Sequence, residues 1–320
     1  TAIAAYNAKP AGVTTAPIDT TAAFTQETNG ANLQADAAVW KLEHSAGVPV
    51  DVHLSGAMTN ARIAAAATPA TPTALTVADM FTAMPYENSL VVLRMNGPQL
   101  KAVLERAYRN YYYYKYVSGY GGYSYYTTCM LDTDAGNKIT YNDLYPAAYD
   151  PTQGYVVSLQ IGGQEVDFSD AATYYNVSTV NYLAAGACNF SDGGQTLWPL
   201  NQIVADTQYY VRDAVIEYMQ AQTAPVSPAI EGRLSFIADT EAPTVAITSP
   251  TASTYLHTDS LTVDFTAADV GPAGLRPVVA TIDGTAVVDD QVIDLRTLAL
   301  GSHTLTVTAT DRIGHATTAR

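Results

Sequence analysis

The chain has 320 residues, 48% of them apolar and 14% charged, which is enough for two or three domains with cores of their own and excludes a disordered chain. Thirty acidic residues against fifteen basic ones leave a net charge of −15, a field that repels phosphate backbones and argues against duplex nucleic acid or an anionic membrane as partner. No apolar run approaches the roughly 20 residues of a membrane-spanning helix, so membrane insertion is not expected either.

The chain opens at Thr1 with neither Met nor a leader, as a processed product or a fragment does. Its first stretch, "TAIAAYNAKPAGVTTAP", is Thr-rich and reads as an extended arm. From Glu27 to Glu43, apolar residues at Leu33, Ala37, Trp40 and Leu42 follow helical spacing. "VPVDVHLSG" alternates through Val48, Val50, Val52 and Leu54 as a strand, which turns Asp51 and His53 outward. "TPATPTALT" is a connector, and "TVADMFTAM" opens a short helix at Thr76 with Asp79 in the capping-box position. "NSLVVLRMN" reads as a strand, and "GPQLKAVLERAYRN" as a helix with Pro98 in its first turn. "YVVSLQIGGQEVDF" forms a hairpin turning at Gly162-Gly163, and "TQYYVRDAVIEYMQAQ" a last amphipathic helix. From Asp239 onward the pattern changes to short alternating runs: "TVAIT", "SLTVDFTA", "VVATIDG", "QVIDL" and "SHTLTVTATD". The fold expected is therefore an α+β domain over residues 1–238, followed by a small all-β sandwich over 239–320.

Catalytic signatures are sparse. Asp51-Val52-His53 mimics the Asp-x-His start of a metal site but fits an outward strand face better, and no His-x-His, CxxC or Gly-x-Ser-x-Gly is present. "DTDAGNKITYND" places Asp132 and Asp134 as a calcium loop begins, but it lacks an oxygen ligand at the fifth position and glycine at the sixth, so it reads as a turn. Cys129 and Cys188 fit a disulfide in an oxidising compartment, and separately buried thiols are the alternative.

Several blocks in order ("ETNGANLQADA", "LTVADMFTAMPYENSLVVLRMNGPQLKAVLE", "YVSGY", "TYYNVSTVNYLAAGA" and "RDAVIEYM…EGRL") make the first 237 residues resemble the C-terminal domain of the 5′-nucleotidase / 2′,3′-cyclic phosphodiesterase family. In that family this domain recognises the nucleoside, and a separate N-terminal domain holds two divalent metals and hydrolyses the phosphate ester. The resemblance implies a non-catalytic nucleotide-recognition half of a secreted bacterial enzyme, with no metal or other cofactor in this chain and a nucleotide or nucleoside as its ligand. Carried over residue by residue, the two base-stacking rings fall on Tyr182 and on Tyr114 or Tyr116, with Asn88 beside them. Arg62 is what remains of the phosphate-binding stretch. The family's sugar-contacting Gly-Gly-Asp has become Gly186-Ala187-Cys188, so a Cys129–Cys188 bond would brace or close the inherited pocket. "AGLRPVVATIDG" and "LGSHTLTVTATDRIG" make residues 239–320 resemble a bacterial immunoglobulin-like module, with only His315 to Arg320 left for its last strand.

The stretch from Tyr108 to Cys129 holds ten of the 23 tyrosines, more than two stacking positions need. Read as a strand and a protruding glycine-broken loop, it turns Tyr111, Tyr112, Tyr113, Tyr120, Tyr123 and Tyr125 outward as an assembly surface. The alternative function is accordingly a structural subunit: copies of this chain in an extracellular or cell-surface filament, joined by tyrosine contacts and by the N-terminal arm pairing with an open edge of the last module.

Overall fold

The computed structural model describes residues 2–56, 60–117, 129–144, 147–152 and 154–320. The chain divides into two compact units, residues 1–141 with 158–235 and residues 142–157 with 236–320. The sequence boundary at 239 places 142–157 in the first domain, whereas compactness groups it with the second.

The first unit begins with an exposed α1 (Ala2–Asn7), then β1 (Pro10–Thr14), β2 (Ile18–Asp19), α2 (Asn29–Lys41), β3 (Val52–His53), β4 (Arg62–Ile63), β5 (Thr73–Thr76) and α3 (Val77–Ala83). There follow β6 (Ser89–Asn96), α4 (Gly97–Tyr112), β7 (Lys138–Asn142), β8 (Val156–Ile161), β9 (Gln164–Glu165), β10 (Tyr174–Val180) and α5 (Asn181–Ala184). β11 (Ser191–Asp192), β12 (Gln195–Thr196), β13 (Ile203–Tyr210), α6 (Val211–Ala221) and β14 (Leu234–Ile237) complete this part of the chain. Helix starts are set by local chemistry. Asp79 Oδ2 accepts the Thr76 N–H at 2.7 Å, and Gln99 Oε1 accepts the Asn96 N–H at 3.0 Å, so α3 and α4 both begin in capping boxes.

The sheet order β13-β6-β10-β3 puts β6 inside, antiparallel to β13 and β10, while β3 pairs parallel with β10. The uninterrupted run Leu90-Val91-Val92-Leu93 fits that position, since a strand covered on both faces needs no polar alternation. A second four-stranded sheet runs β14-β7-β8-β9, with the expected turn at Gly162-Gly163, both at positive φ. α2 packs on α6, and Leu33, Ala37, Val215 and Met219 join Ala11, Ile18, Leu75 and Met80 in one core.

Two expectations fail here. The N-terminal arm is not a free strand: β1 pairs with β5 of its own chain, from Pro10↔Thr76 to Thr14↔Thr73. Gly12 allows this docking, because a Cβ there would stand 2.7 Å from Met219 Cβ on α6. The described first part of the tyrosine run, residues 108–117, is not a strand either. α4 continues through it, so Tyr108, Tyr111 and Tyr112 extend the face of Leu100, Val103 and Leu104 at helical spacing and are buried. Tyr108 packs on Tyr111 and Tyr141, with ring centroids 5.5 and 5.7 Å apart. Tyr111 and Tyr112 therefore belong to an aromatic core and not to an assembly surface. A further helical turn of altered pitch, Tyr113–Val117, then leaves Tyr113 half-buried, its ring edge-on to Tyr112. Tyr120, Tyr123 and Tyr125 lie outside the described residues.

The second unit is all-β after Phe236. It comprises β15 (Thr244–Ser249), β16 (Ser260–Thr262), β17 (Asp264–Ala268), β18 (Val279–Ile282), β19 (Thr285–Val287), β20 (Val292–Asp294), β21 (Leu305–Thr310) and β22 (Ala316–Ala319). β15 pairs with β17, β16 with β20, and a four-stranded sheet runs β19-β18-β21-β22. Each alternating run of the sequence carries a strand, with "SLTVDFTA" divided between β16 and β17, and β21 buries every second residue. Val263, Ala280, Val287, Leu305 and Val307 form the core. The β18–β19 hairpin turns on Asp283-Gly284, both left-handed, as the twist of paired strands favours.

Candidate functional site

Two of the candidate residues, Asn88 and Tyr182, lie where β10 runs into α5. Asn181 Oδ1 accepts the Ser89 N–H at 3.1 Å and the Tyr182 N–H at 2.9 Å, which locks the first turn of α5 to the start of β6. Tyr182 is left 50% exposed, with no ring packed against it among the described residues. Asn88 sits beside this junction, and its carbonyl accepts the Val211 N–H at 3.0 Å. The crevice that Asn88 shares with Gln34, Gly56, Tyr86 and Val180 holds about 20 Å³, room for about one water and not for a base.

The other carried-over residues lie apart from this junction. Arg62 is exposed on β4, its Nε 3.5 Å from Asp19 Oδ2 across the β2–β4 pair. That pairing joins with the Thr21 hydroxyl, the larger influence, in holding the Asp19 carboxyl below the usual range. Tyr114 sets its ring edge-on to Phe24 at 5.7 Å, and Tyr116 packs on Tyr111 and Tyr112 at 6.0 and 5.4 Å. No described contact joins either ring to Tyr182.

Cys129 and Cys188 are disulfide-bonded across 59 residues, so the loop carrying Gly186-Ala187-Cys188 is covalently fastened. Two residues that the sequence reading passed over fasten it further from α4. Asn110 Nδ2 donates to the Cys188 carbonyl at 2.7 Å. Arg106 donates to the Ser191 carbonyl at 2.7 Å and meets Asp192 Oδ1 at 2.5 Å. Their i, i+4 spacing on one helix face was the available signal. Within the loop, Gly186, Cys188 and Asn189 all take positive φ, a conformation that costs Cys188 energy and that its attachments sustain. The loop is held in place by its own chain.

Behind the junction lies a buried polar group. His53 does not face outward: β3 lies against β10 with both its residues covered, and His53 is 1% exposed. Its Nδ1 is 2.6 Å from Ser178 Oγ, and its backbone N–H donates to Asp134 Oδ1 at 2.7 Å. Burial pushes the imidazole down to about 4, and it raises the carboxyls of Asp132 and Asp134. Asp134 also accepts from Asn137 Nδ2 at 2.9 Å, so the calcium-like stretch is a turn leading into β7. Asp51 does face solvent, and its Oδ2 accepts the Asn176 N–H at 2.7 Å. Among the described residues of the first unit, no three metal-ligating side chains converge.

The profile of the 5′-nucleotidase C-terminal domain matches residues 10–192, more than half of the chain. This chain belongs to that family. The fold agrees: a 5′-nucleotidase precursor from Thermus thermophilus superposes with a TM-score of 0.54 at 20% identity, over 73% of this chain and 41% of its own. The NAD nucleotidase of Haemophilus influenzae gives 0.53 at 20% identity, over 74% and 39%. The chain thus spans about two-fifths of the length of these nucleotidases. No curated protein sequence matches it. Within this domain the first unit leaves the Tyr182 ring half-exposed on α5, pairs Arg62 with Asp19 and holds Cys188 in a disulfide.

Proposed function

We propose that this chain is the nucleotide-recognition half of a secreted, 5′-nucleotidase-like metallophosphoesterase, with Tyr182 as its stacking platform and no hydrolytic centre of its own. Hydrolysis of this kind needs two cations clamping an in-line displacement, and those ligands would come from outside these 320 residues. The observation that carries the reading is the half-exposed Tyr182 ring, presented by the Asn181-locked α5 within a domain of this family. Recognition here is apolar more than ionic: Arg62 is engaged by Asp19, and Cys188 offers no carboxylate to a sugar. The 142–157 and 236–320 unit is an immunoglobulin-like extension in this proposal, suited to an extracellular setting in which the disulfide persists.

Calorimetry with adenosine and with AMP tests this. The two ligands should bind weakly and within about threefold of each other, because Arg62, the arginine carried over for the phosphate, is engaged by Asp19. Tyr182→Ala should weaken both by about 5- to 100-fold, the loss of one stacked base. Undiminished affinity in that variant would remove the stacking role. Phosphate release from AMP with added manganese or zinc, above a heat-killed control, would remove the non-catalytic reading.

A further inference from the structure

The second unit gathers three ligand-bearing side chains that neither the sequence reading nor the proposed function uses. Asp239, Asp311 and His315 bring one potential ligand atom each to within 4.8 Å of one another. Asp239 precedes β15, Asp311 follows β21, and His315 precedes β22, so the cluster joins the first and last strands of the all-β segment.

Its carboxylates are not surface charges. Asp239 is 1% exposed and Asp311 is fully buried. Asp311 Oδ1 is saturated, accepting the N–H groups of Ile313, Gly314 and His315 at 3.0, 2.6 and 2.8 Å. Asp311 Oδ2 accepts no hydrogen bond among the described residues, although it is buried and stands 2.8 Å from His315 Nδ1. That ring nitrogen is also 3.0 Å from the Glu241 carbonyl. Asp239 is held rigidly: its Oδ1 accepts from the Glu241 N–H at 3.0 Å, its Oδ2 from the Ala273 N–H at 2.7 Å, and Asn142 brackets its main chain. The loop at Gly271 touches the same carboxylate so closely that a Cβ there would lie 2.2 Å from Asp239 Oδ1.

Two buried carboxylates this close repel each other, and an oxygen left without a donor costs several kcal/mol in such surroundings. A divalent cation answers both terms. It neutralises a double negative charge, takes the open lone pairs of Asp311 Oδ2, and turns the imidazole into a ligand once Nδ1 is deprotonated. We propose that Asp239, Asp311 and His315 bind one divalent metal ion of the class that accepts imidazole together with carboxylate, zinc foremost, and that this ion fastens the start of the all-β segment to its last turn. The imidazole is what selects zinc over calcium, which prefers an all-oxygen shell. The ion is structural: it joins residues 72 positions apart in sequence, so its binding energy adds to folding.

The test uses the full chain, stripped with chelator and titrated calorimetrically with zinc, calcium and manganese chlorides in separate arms, with melting followed in parallel. Wild type should bind one zinc per chain and melt at least about 5 °C higher at a hundredfold excess over Kd. Asp311→Asn keeps the Oδ1 acceptor for the three N–H groups and removes the charge. His315→Gln changes a partly exposed side chain, so it stays informative if Asp311→Asn fails to fold. Each should weaken zinc at least tenfold. Absence of stoichiometric zinc binding to wild type overturns the proposal. Zinc binding undiminished in both variants also overturns it, since the ion would then sit at His44, His257 or His303. Calcium bound more tightly than zinc and indifferent to His315→Gln overturns the imidazole assignment.

Discussion

Arg233 in the first unit and Asp311 in the second are both ionisable and at most 5% exposed, yet their hydrogen bonds are arranged in opposite ways. Arg233 reaches side chains far along the chain, forking onto Asp36 at 2.7 and 2.9 Å, meeting Glu231 at 2.8 Å and donating to the Thr133 carbonyl at 3.1 Å. Burial alone would lower its pKa, but Asp36 and then Glu231 outweigh that and hold the guanidinium charged. Asp311 turns back on its own loop and spends one oxygen on three consecutive amides. The first unit is thus cross-linked by long-range charge pairs, a disulfide and large buried rings. The second is an alternating sheet with a core of five buried residues, whose strand ends are pinned by turn carboxylates. A domain whose segments meet across long separations in sequence needs them fixed against one another, whereas strands joined by short turns need only their register.

The largest expected effect breaks the long-range pairing. Arg233→Ala leaves Asp36 and Glu231 without their shared partner and should cost the first unit about 3–5 kcal/mol. Trp40 and Trp198, the only tryptophans, both lie in that unit, so urea unfolding followed by their fluorescence reads it selectively. A loss below about 1 kcal/mol would show that the buried fork is dispensable.

A somewhat smaller effect follows from His53. Its folded pKa, about 4, is below the ordinary 6.5, so its contribution is complete above pH 6.5 and disappears as pH falls toward 4. The first unit should lose up to about 3 kcal/mol over that window from this group. The carboxyls of Asp132 and Asp134, raised by burial, act with the opposite sign, so the wild-type curve alone is ambiguous. The difference between wild type and His53→Asn isolates the imidazole. Parallel pH curves for the two proteins would mean that His53 does not titrate in this window.

The smallest effect sharpens the other side of the comparison. Val307→Ala removes two methyl groups from the core of the second unit and should cost about 2 kcal/mol. Amide exchange in β18, which pairs with β21 through Ala280↔Val307, should quicken by about 30-fold under native conditions. Unchanged exchange would show that turn carboxylates, and not the small core, hold that sheet.

Much of the fold was legible in the sequence because its signals are local. Thr76 with Asp79 and Asn96 with Gln99 define helix starts within four residues, and the runs after Asp239 alternate as their strands do. The disulfide partners were legible because only two cysteines exist. Of the candidate site, the sequence supplied Tyr182 through a motif on contiguous residues, and the structure adds that its ring is half-exposed on α5.

The failures share one cause. Four consecutive tyrosines look the same on a strand and at the end of a helix, and only the continuation of α4 against Tyr141 decided that Tyr111 and Tyr112 are core. His53 alternates correctly with Val52, but β10 and the turn at Asp134 cover its second face. Arg233 and Asp36 stand 197 residues apart, and Asp239 meets Asp311 and His315 only when the first and last strands come together. The sequence by itself determined periodicity, caps and turns, because these depend on neighbours within a few residues. Which polar groups are buried, and what satisfies them, was decided by the tertiary structure, because burial depends on segments that the local pattern does not encode.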